Sequence, residues 1–300
     1  MQLQKEKQAV RQRSKTAANL KTRVLMAVLM VLALLILLLS RGLAVFFAVL
    51  VITLIAQREL LKAFSDKGVV PYRAPVLFAG IICCSAVYFL GTASGVAAIL
   101  LSIFIMIISG LVSQEGGMDK TIYSCFIVLY PTLCSMSILA LERESFEFLL
   151  GGIFAAIGCD TMGFFVGRAF GKRKLSPRLS PNKTVEGAVA GLFGGVFILA
   201  IAKYVFGAIN FSVSFQLFGA DITWTIAKIH LSWLMVVFCG FFGAAVSIVG
   251  DLFASSIKRY CGIKDFSSLI PGHGGVLDRL DGVFFSCAAM YFVYFIISIL

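Results

Sequence analysis

Apolar runs succeed one another along this chain with little polar sequence between them, and that recurrence most constrains what it can become. The runs lie near 24–39, 43–56, 74–90, 95–112, 122–141, 148–167, 185–206, 231–249 and 283–300. A bilayer crossing needs about 20 predominantly apolar residues as a helix, and most of these runs are close to it. Hydrocarbon offers no partner to backbone N–H and C=O groups, so such runs must satisfy them internally. The expected fold is an all-α integral membrane protein, a polytopic bundle of about nine transmembrane helices. Composition agrees. The 300 residues are 60% hydrophobic and 14% charged, whereas a soluble domain carries roughly 25% charged residues.

A net charge of +11 invites a nucleic-acid reading, but the placement of the charge argues against one. Residues 1–23 hold Lys5, Lys7, Arg11, Arg13, Lys15, Lys21 and Arg23 against Glu6, a basic tail of the kind that stays on the cytoplasmic side. The first two apolar runs are short. They form either a hairpin turning at Ser40-Arg41-Gly42 or one long helix. With the hairpin and a cytoplasmic N-terminus, only Arg41, Arg143, Lys203 and Lys228 of the 26 Lys and Arg fall on the outer side. Fusing the two runs would send the whole tail outside, so the hairpin fits the positive-inside rule better. Residues 57–73 read as an amphipathic continuation of the second run that ends at Pro71, and 207–230 as a loop along the outer interface. The eight cysteines show no C-x-x-C pair and sit mostly in apolar runs, so they read as small buried hydrophobes. The chain thus divides into the tail 1–23, about five helices over 24–145, and a C-terminal region 146–300. That last region carries the polar loops 168–186 and 251–281.

Those two polar loops hold the chemistry. From Asp251 to Asp281 the chain reads DLFASSIKRYCGIKDFSSLIPGHGGVLDRLD. If the preceding helix continues to Arg259, then Asp251, Ser255 and Lys258 share one face at i, i+4 and i+7. Pro271 and Gly274-Gly275 break the chain around His273. A new helix starts near Leu277, with Asp278 and Asp281 at i, i+3 on it. Three carboxylates brought together repel unless a cation joins them, and hard oxygen donors suit Mg²⁺. In the second stretch, Gly158 to Gly187, Asp160 stands inside an apolar run, where a carboxylate is by default functional. Gly163, Gly167 and Gly171, then Gly187, Gly191 and Gly195, form small-residue faces for close helix packing. Ser180 and Thr184 are placed to cap the next helix. Its first N–H groups, with Lys183 beside them, are expected to attract phosphate.

Ser255 to Asp281 resembles the signature of the phosphatidate cytidylyltransferases (CDP-diacylglycerol synthases). The likeness lies in the Ser, Lys258-Arg259, Lys264-Asp265, Pro271, His273-Gly274-Gly275 and the closing Asp278-Arg279-x-Asp281 at matching spacing. Ala254 stands where that family commonly has Glu. Gly158 to Gly187 resembles the same family in its D-T-x-x-x-x-x-G, F-G-K-x-K-L and S-P-x-K-T-x-E-G elements. Asn182 and Val185 stand there in place of the commoner Lys and Trp. The resemblance implies transfer of a cytidylyl group from CTP to phosphatidate, giving CDP-diacylglycerol and pyrophosphate. It implies Asp251, Asp278 and Asp281 as Mg²⁺ ligands over one or two cation sites, joined by Asp160 if its helix packs nearby. Lys183, Lys258, Arg259, Lys264 and Arg279 would meet phosphates, and Ser255 would donate to a phosphate oxygen. His273, Gly274 and Gly275 would shape the loop against the nucleotide. The implied partners are CTP, a phosphatidate lipid and the bilayer of the cell's inner membrane, with the catalytic loops facing the cytoplasm. A homodimer is an open alternative, and nucleic acid is not expected. A rival substrate is another lipid phosphate, such as an isoprenoid one. A cation-coupled transporter is the rival class, disfavoured because no inverted repeat is visible.

Overall fold

The computed structural model describes residues 25–26, 28–30, 32–37, 40–112, 117–208, 212–217, 220–225, 229–271 and 274–300. Among them, eight helices are long and apolar enough to cross a membrane. We number them α1 (Leu43–Asp66), α2 (Arg73–Leu90), α3 (Thr92–Val112), α4 (Gly117–Glu144), α5 (Phe146–Phe170), α6 (Val185–Ala208), α7 (Trp233–Tyr260) and α8 (Leu277–Ile299). The described residues between 25 and 37 are helical as well, and the basic tail 1–23 lies outside the described residues. The protein is an all-α polytopic membrane protein.

The chain breaks where the hairpin was expected. Arg41 and Gly42 both take positive φ, at 48° and 59°, a conformation that costs a non-glycine residue roughly 1–2 kcal/mol. Glu142 at the end of α4 offsets that cost. It accepts Gly42 N–H at 2.9 Å and faces Arg41 Nε at 3.8 Å. Helix α1 then runs past the apolar stretch to Asp66, so 57–66 continues it as expected, although it stops before Pro71. Helices α2 and α4 each contain a turn of π-helix, Ala86–Leu90 and Val128–Thr132. The second holds Pro131, whose missing N–H prevents the ordinary ladder there.

Short strands were not expected in either loop. Lys174–Ser176 (β1) and Ser180–Thr184 (β2) pair antiparallel between α5 and α6. Ser212–Leu217 (β3) and Ala220–Thr225 (β4) pair antiparallel within the 207–230 stretch. The loop 171–184 is short and polar and carries no period-2 apolar pattern, whereas 211–217 (FSVSFQL) and 220–225 (ADITWT) do alternate apolar and polar, a strand signal that reading 207–230 as a loop overlooks.

Two apolar cores form. One joins α1, α2 and α4 to the ends of α7 and α8 nearest the site, through Leu60, Phe64, Ile127, Leu139, Ile257, Leu277 and Phe284. The other packs α5, α6 and α7 on the rest of α8, through Leu150, Leu199, Val236, Cys287 and Met290. Helix α8 belongs to both.

The loops sort to two ends of the bundle. At one end, Lys67 reaches Tyr260 O, Tyr123 and Tyr260 bond through their hydroxyls, and Tyr72 N–H donates to Ser124 Oγ at 2.9 Å. Arg259 Nε donates to Leu179 O at 3.3 Å, which puts the β1–β2 hairpin there too. At the other end, Glu142 holds the 41–42 turn and Arg143 donates to the carbonyls of Val87 and Tyr88. This is the loop sorting expected from charge.

Candidate active site

The site lies where α5, α7 and α8 meet below the β1–β2 hairpin. Glycines make that meeting possible. A Cβ at Gly187 on α6 would stand 2.8 Å from Gly163 O and 3.0 Å from Gly167 Cα on α5, and one at Gly195 would stand 2.6 Å from Gly240 O on α7. A Cβ at Gly250 of α7 would stand 2.6 Å from Asp281 O on α8. The expected small-residue faces are therefore backbone-to-backbone contacts.

With the helices this close, three short carboxylates converge. Asp251 on α7 interacts side chain to side chain with both Asp160 on α5 and Asp281 on α8. Lys183, from β2, forms an ion pair with Asp251 Oδ2. Arg279 is in electrostatic reach of Asp160, and Lys258 of Asp281. Asp281 is 8% exposed, whereas Asp160 keeps an open face. The cluster is thus enclosed on the α8 side and accessible from α5. A buried hydroxyl faces it from α4: Tyr130 OH has no hydrogen-bond partner and lies in electrostatic reach of Asp251, Asp278 and Asp281. Ser247, one turn before Asp251, is likewise buried with an unpartnered hydroxyl, close by Gly282.

Asp278 departs from the expected metal set of Asp251, Asp278 and Asp281. Its Oδ1 accepts Lys258 Nζ at 2.7 Å, and its Oδ2 accepts the N–H groups of Phe266 and Gly275, both at 2.9 Å. The i, i+3 spacing does put both aspartates on one face. A carboxylate in a helix's first turn, however, is drawn to the free N–H groups there. In this structure Asp278 holds the loop, and Asp160 is the carboxylate that meets Asp251 alongside Asp281. In kind, the three carboxyls fit a hard cation: they meet side by side, and a positive charge, the Lys183 ammonium, already lies against them. In the geometry shown, no three such groups among the described residues close around one ion.

The remaining expected residues separate by role. Ser255 and Lys258 do continue the Asp251 face, since α7 is unbroken to Tyr260. Arg259 braces the hairpin, and Lys264 is exposed on the loop. Gly274 takes φ +90°, which favours glycine. A Cβ on Gly275 would stand 2.5 Å from Glu59 Oε1, so that glycine is needed for a close approach. His273 lies outside the described residues. Ala254, 0% exposed, packs in the core. The start of α6 is not the open anion site its sequence promised. Thr184 Oγ1 accepts Gly187 N–H at 3.1 Å, and Val185 N–H donates to Arg173 O at 2.9 Å. Glu186 accepts Lys172 N–H at 3.0 Å. Lys183 points instead to Asp251. Sequence reasoning missed Glu59, 5% exposed on α1, which accepts from Ser267 and from the start of α8. Its only signal was a carboxylate within an amphipathic helix face.

This is a polytopic helical membrane protein with an acidic and basic cluster at one end of the bundle. The cytidylyltransferase family's sequence profile matches residues 21–297, and the chain belongs to that family. Among curated relatives, it is 38% identical over 181 residues to a phosphatidate cytidylyltransferase of Haemophilus influenzae, covering 58% of this chain and 56% of that protein. It is 35% identical over 171 residues to one of Aquifex aeolicus, covering 57% and 56%. The chain thus spans little more than half the length of these two relatives. To a phosphatidate cytidylyltransferase of Staphylococcus haemolyticus it is 28% identical over 271 residues, covering 89% and 95%.

Proposed function

We propose that this chain is a phosphatidate cytidylyltransferase, making CDP-diacylglycerol and pyrophosphate from CTP and phosphatidate. The observation that carries the reading is the meeting of Asp160, Asp251 and Asp281 beside Lys183 and within reach of Arg279 and Lys258. Carboxylates to hold a cation and cations to hold phosphates stand together. No Ser or Cys nucleophile is required, because a lipid phosphate is already an oxyanion. Its oxygen attacks the α-phosphorus, the new P–O bond forms as the bond to the bridging oxygen breaks, and pyrophosphate leaves with that electron pair. The protein contributes position and charge. Asp251 and Asp281, with Asp160, would hold Mg²⁺, with room in the donor set for a second cation. Bound there, Mg²⁺ neutralises charge on the phosphates. Lys183 would exchange Asp251 for a nucleotide phosphate when CTP arrives. Lys258 and Asp278 keep the loop and α8 in register.

The orientation proposed is an inner-membrane protein with the site in the cytoplasm, supported by the sorting of Lys and Arg to the site's end. The deciding experiment is turnover of CTP by the purified protein with phosphatidate and with an isoprenoid phosphate. CDP-diacylglycerol and equimolar pyrophosphate are expected. Turnover with the isoprenoid phosphate alone, or with neither, overturns the reading. For orientation, a cysteine-free Ser268→Cys variant should label from the cytoplasmic face, and labelling from outside in intact cells would reverse it.

A further inference from the structure

We infer that Glu59, in the N-terminal half, is a positioning residue for cytidylyl transfer: its buried carboxylate clamps both ends of the 267–277 loop and fixes where α8 begins. The inference rests on the proposed function.

Glu59 Oε1 accepts the Ser267 hydroxyl at 2.6 Å and Val276 N–H at 2.9 Å, and Oε2 accepts Leu277 N–H at 2.8 Å. One side chain therefore takes the entry of the loop and its exit. Between them the Ile270–Gly274 bridge closes the loop on itself. Gly275 is the residue that lets Glu59 come so near. The carboxylate also lies at the positive end of the α8 dipole, which favours it there. An apolar side chain would leave three donors without this acceptor, one in a buried contact and two in part-buried ones.

The consequence reaches the reacting groups along α8. Asp281 is one helical turn after Leu277, on the same face. Asp278 and Lys258 tie the loop to α7, but Glu59 ties it to the N-terminal helices, whose own core includes Leu277 and Phe284. Moving the start of α8 by a fraction of a turn would part Asp281 from Asp251. A 1 Å displacement of that kind is enough to cost activity heavily.

The test compares Glu59→Gln, Glu59→Asp and Ser267→Ala in the full-length protein. Readouts are kcat, the KM for each substrate, thermal unfolding and amide hydrogen exchange. Glu59→Gln keeps shape but turns an NH₂ toward N–H donors. It should lower kcat roughly tenfold or more, the effect of losing hydrogen bonds to a charged group, with the lipid KM unchanged. Exchange at Val276 and Leu277 should quicken while α5 and α6 stay protected. Glu59→Asp should restore part of kcat by keeping the charge. Ser267→Ala should cost less, and should add little on top of Glu59→Gln, because the two share one contact. Wild-type kcat in Glu59→Gln overturns the inference. So does an equal loss in both Glu59 variants with lowered melting and faster exchange throughout the bundle, which marks a purely structural residue. If the wild-type protein turns over no lipid phosphate, the proposed function fails by itself. Exchange at 276–277 then judges the clamp, and no quickening in Glu59→Gln refutes it.

Discussion

The helices α5 to α8 pack mostly through backbone, and the helices α1 to α4 mostly through side chains, the α3–α4 contact of Gly110 O with Gly117 being the exception in that half. In the C-terminal half, added Cβ atoms at Gly187, Gly195 and Gly250 would strike carbonyls of neighbouring helices. In the N-terminal half, a Cβ at Gly80 would meet the end of the Gln57 side chain at 2.6 Å, and one at Gly95 would meet Met136 Cε at 2.9 Å. There the interior is filled by side-chain hydrogen bonds, such as Gln57 Nε2 to Thr132 Oγ1 at 2.9 Å. Close backbones let the short side chains of Asp160, Asp251 and Asp281 reach one another. From the N-terminal half the side chains that reach the site's end of the bundle are long ones, Glu59 to the start of α8 and Tyr130 toward the aspartates. The meeting of the three carboxylates and the glycine contacts are therefore one feature seen twice, and the N-terminal half reaches toward that end of the bundle through Glu59 and Tyr130.

The sharpest break in that comparison is removal of the short carboxylates. Asp251→Asn and Asp281→Asn should each cut turnover on the order of 10²- to 10³-fold or more, as losing a group that stabilises the transition state does. Purification yield and thermal unfolding should stay close to wild type. Near-normal turnover in either variant would detach the cluster from catalysis.

Next comes the packing itself. Gly195→Val drives a branched side chain into Gly240 O and Ala244 and should cost about 1–3 kcal/mol or more. Gly80→Ala meets the end of the Gln57 side chain, held by Thr132 but more able to shift than a backbone carbonyl, and should cost less. Thermal unfolding in detergent measures both, and equal losses would erase the distinction between the halves.

Within the C-terminal half, Lys183→Ala should raise the CTP requirement or lower turnover by roughly tenfold or more, the equivalent of one charge-assisted contact at about 1.5–3 kcal/mol. Lys172 is held through its backbone N–H by Glu186, so Lys172→Ala should change little. Equal small effects would make the 172–184 loop a topological signal.

The smallest effect should come from Tyr130 on α4. Tyr130→Phe removes a buried hydroxyl that has no hydrogen-bond partner. If that hydroxyl meets bound substrate, turnover should fall about two- to tenfold, the range of one neutral hydrogen bond, with stability unchanged or raised. Wild-type turnover would leave Glu59 as the clearer route by which the N-terminal half reaches the site.

Sequence alone determined the apolar succession, the break at Arg41–Gly42, the sorting of loops to two ends, the glycine faces and the Thr184 cap. Each follows from local spacing, from charge, or from the demand of hydrocarbon that backbone groups be satisfied within a segment. Tertiary structure alone decided which carboxylates meet. Periodicity put Asp278 and Asp281 on one face, yet the free N–H groups at the start of α8 claimed Asp278, and the α5–α7 approach brought Asp160 to Asp251 across 91 positions of chain. Spacing puts Lys183 beside its own helix start, which Thr184 and Arg173 already fill. Glu59 lies 217 residues before Val276. Spacing encodes the face a side chain occupies, but its partner is settled only when another helix arrives close enough to compete for it.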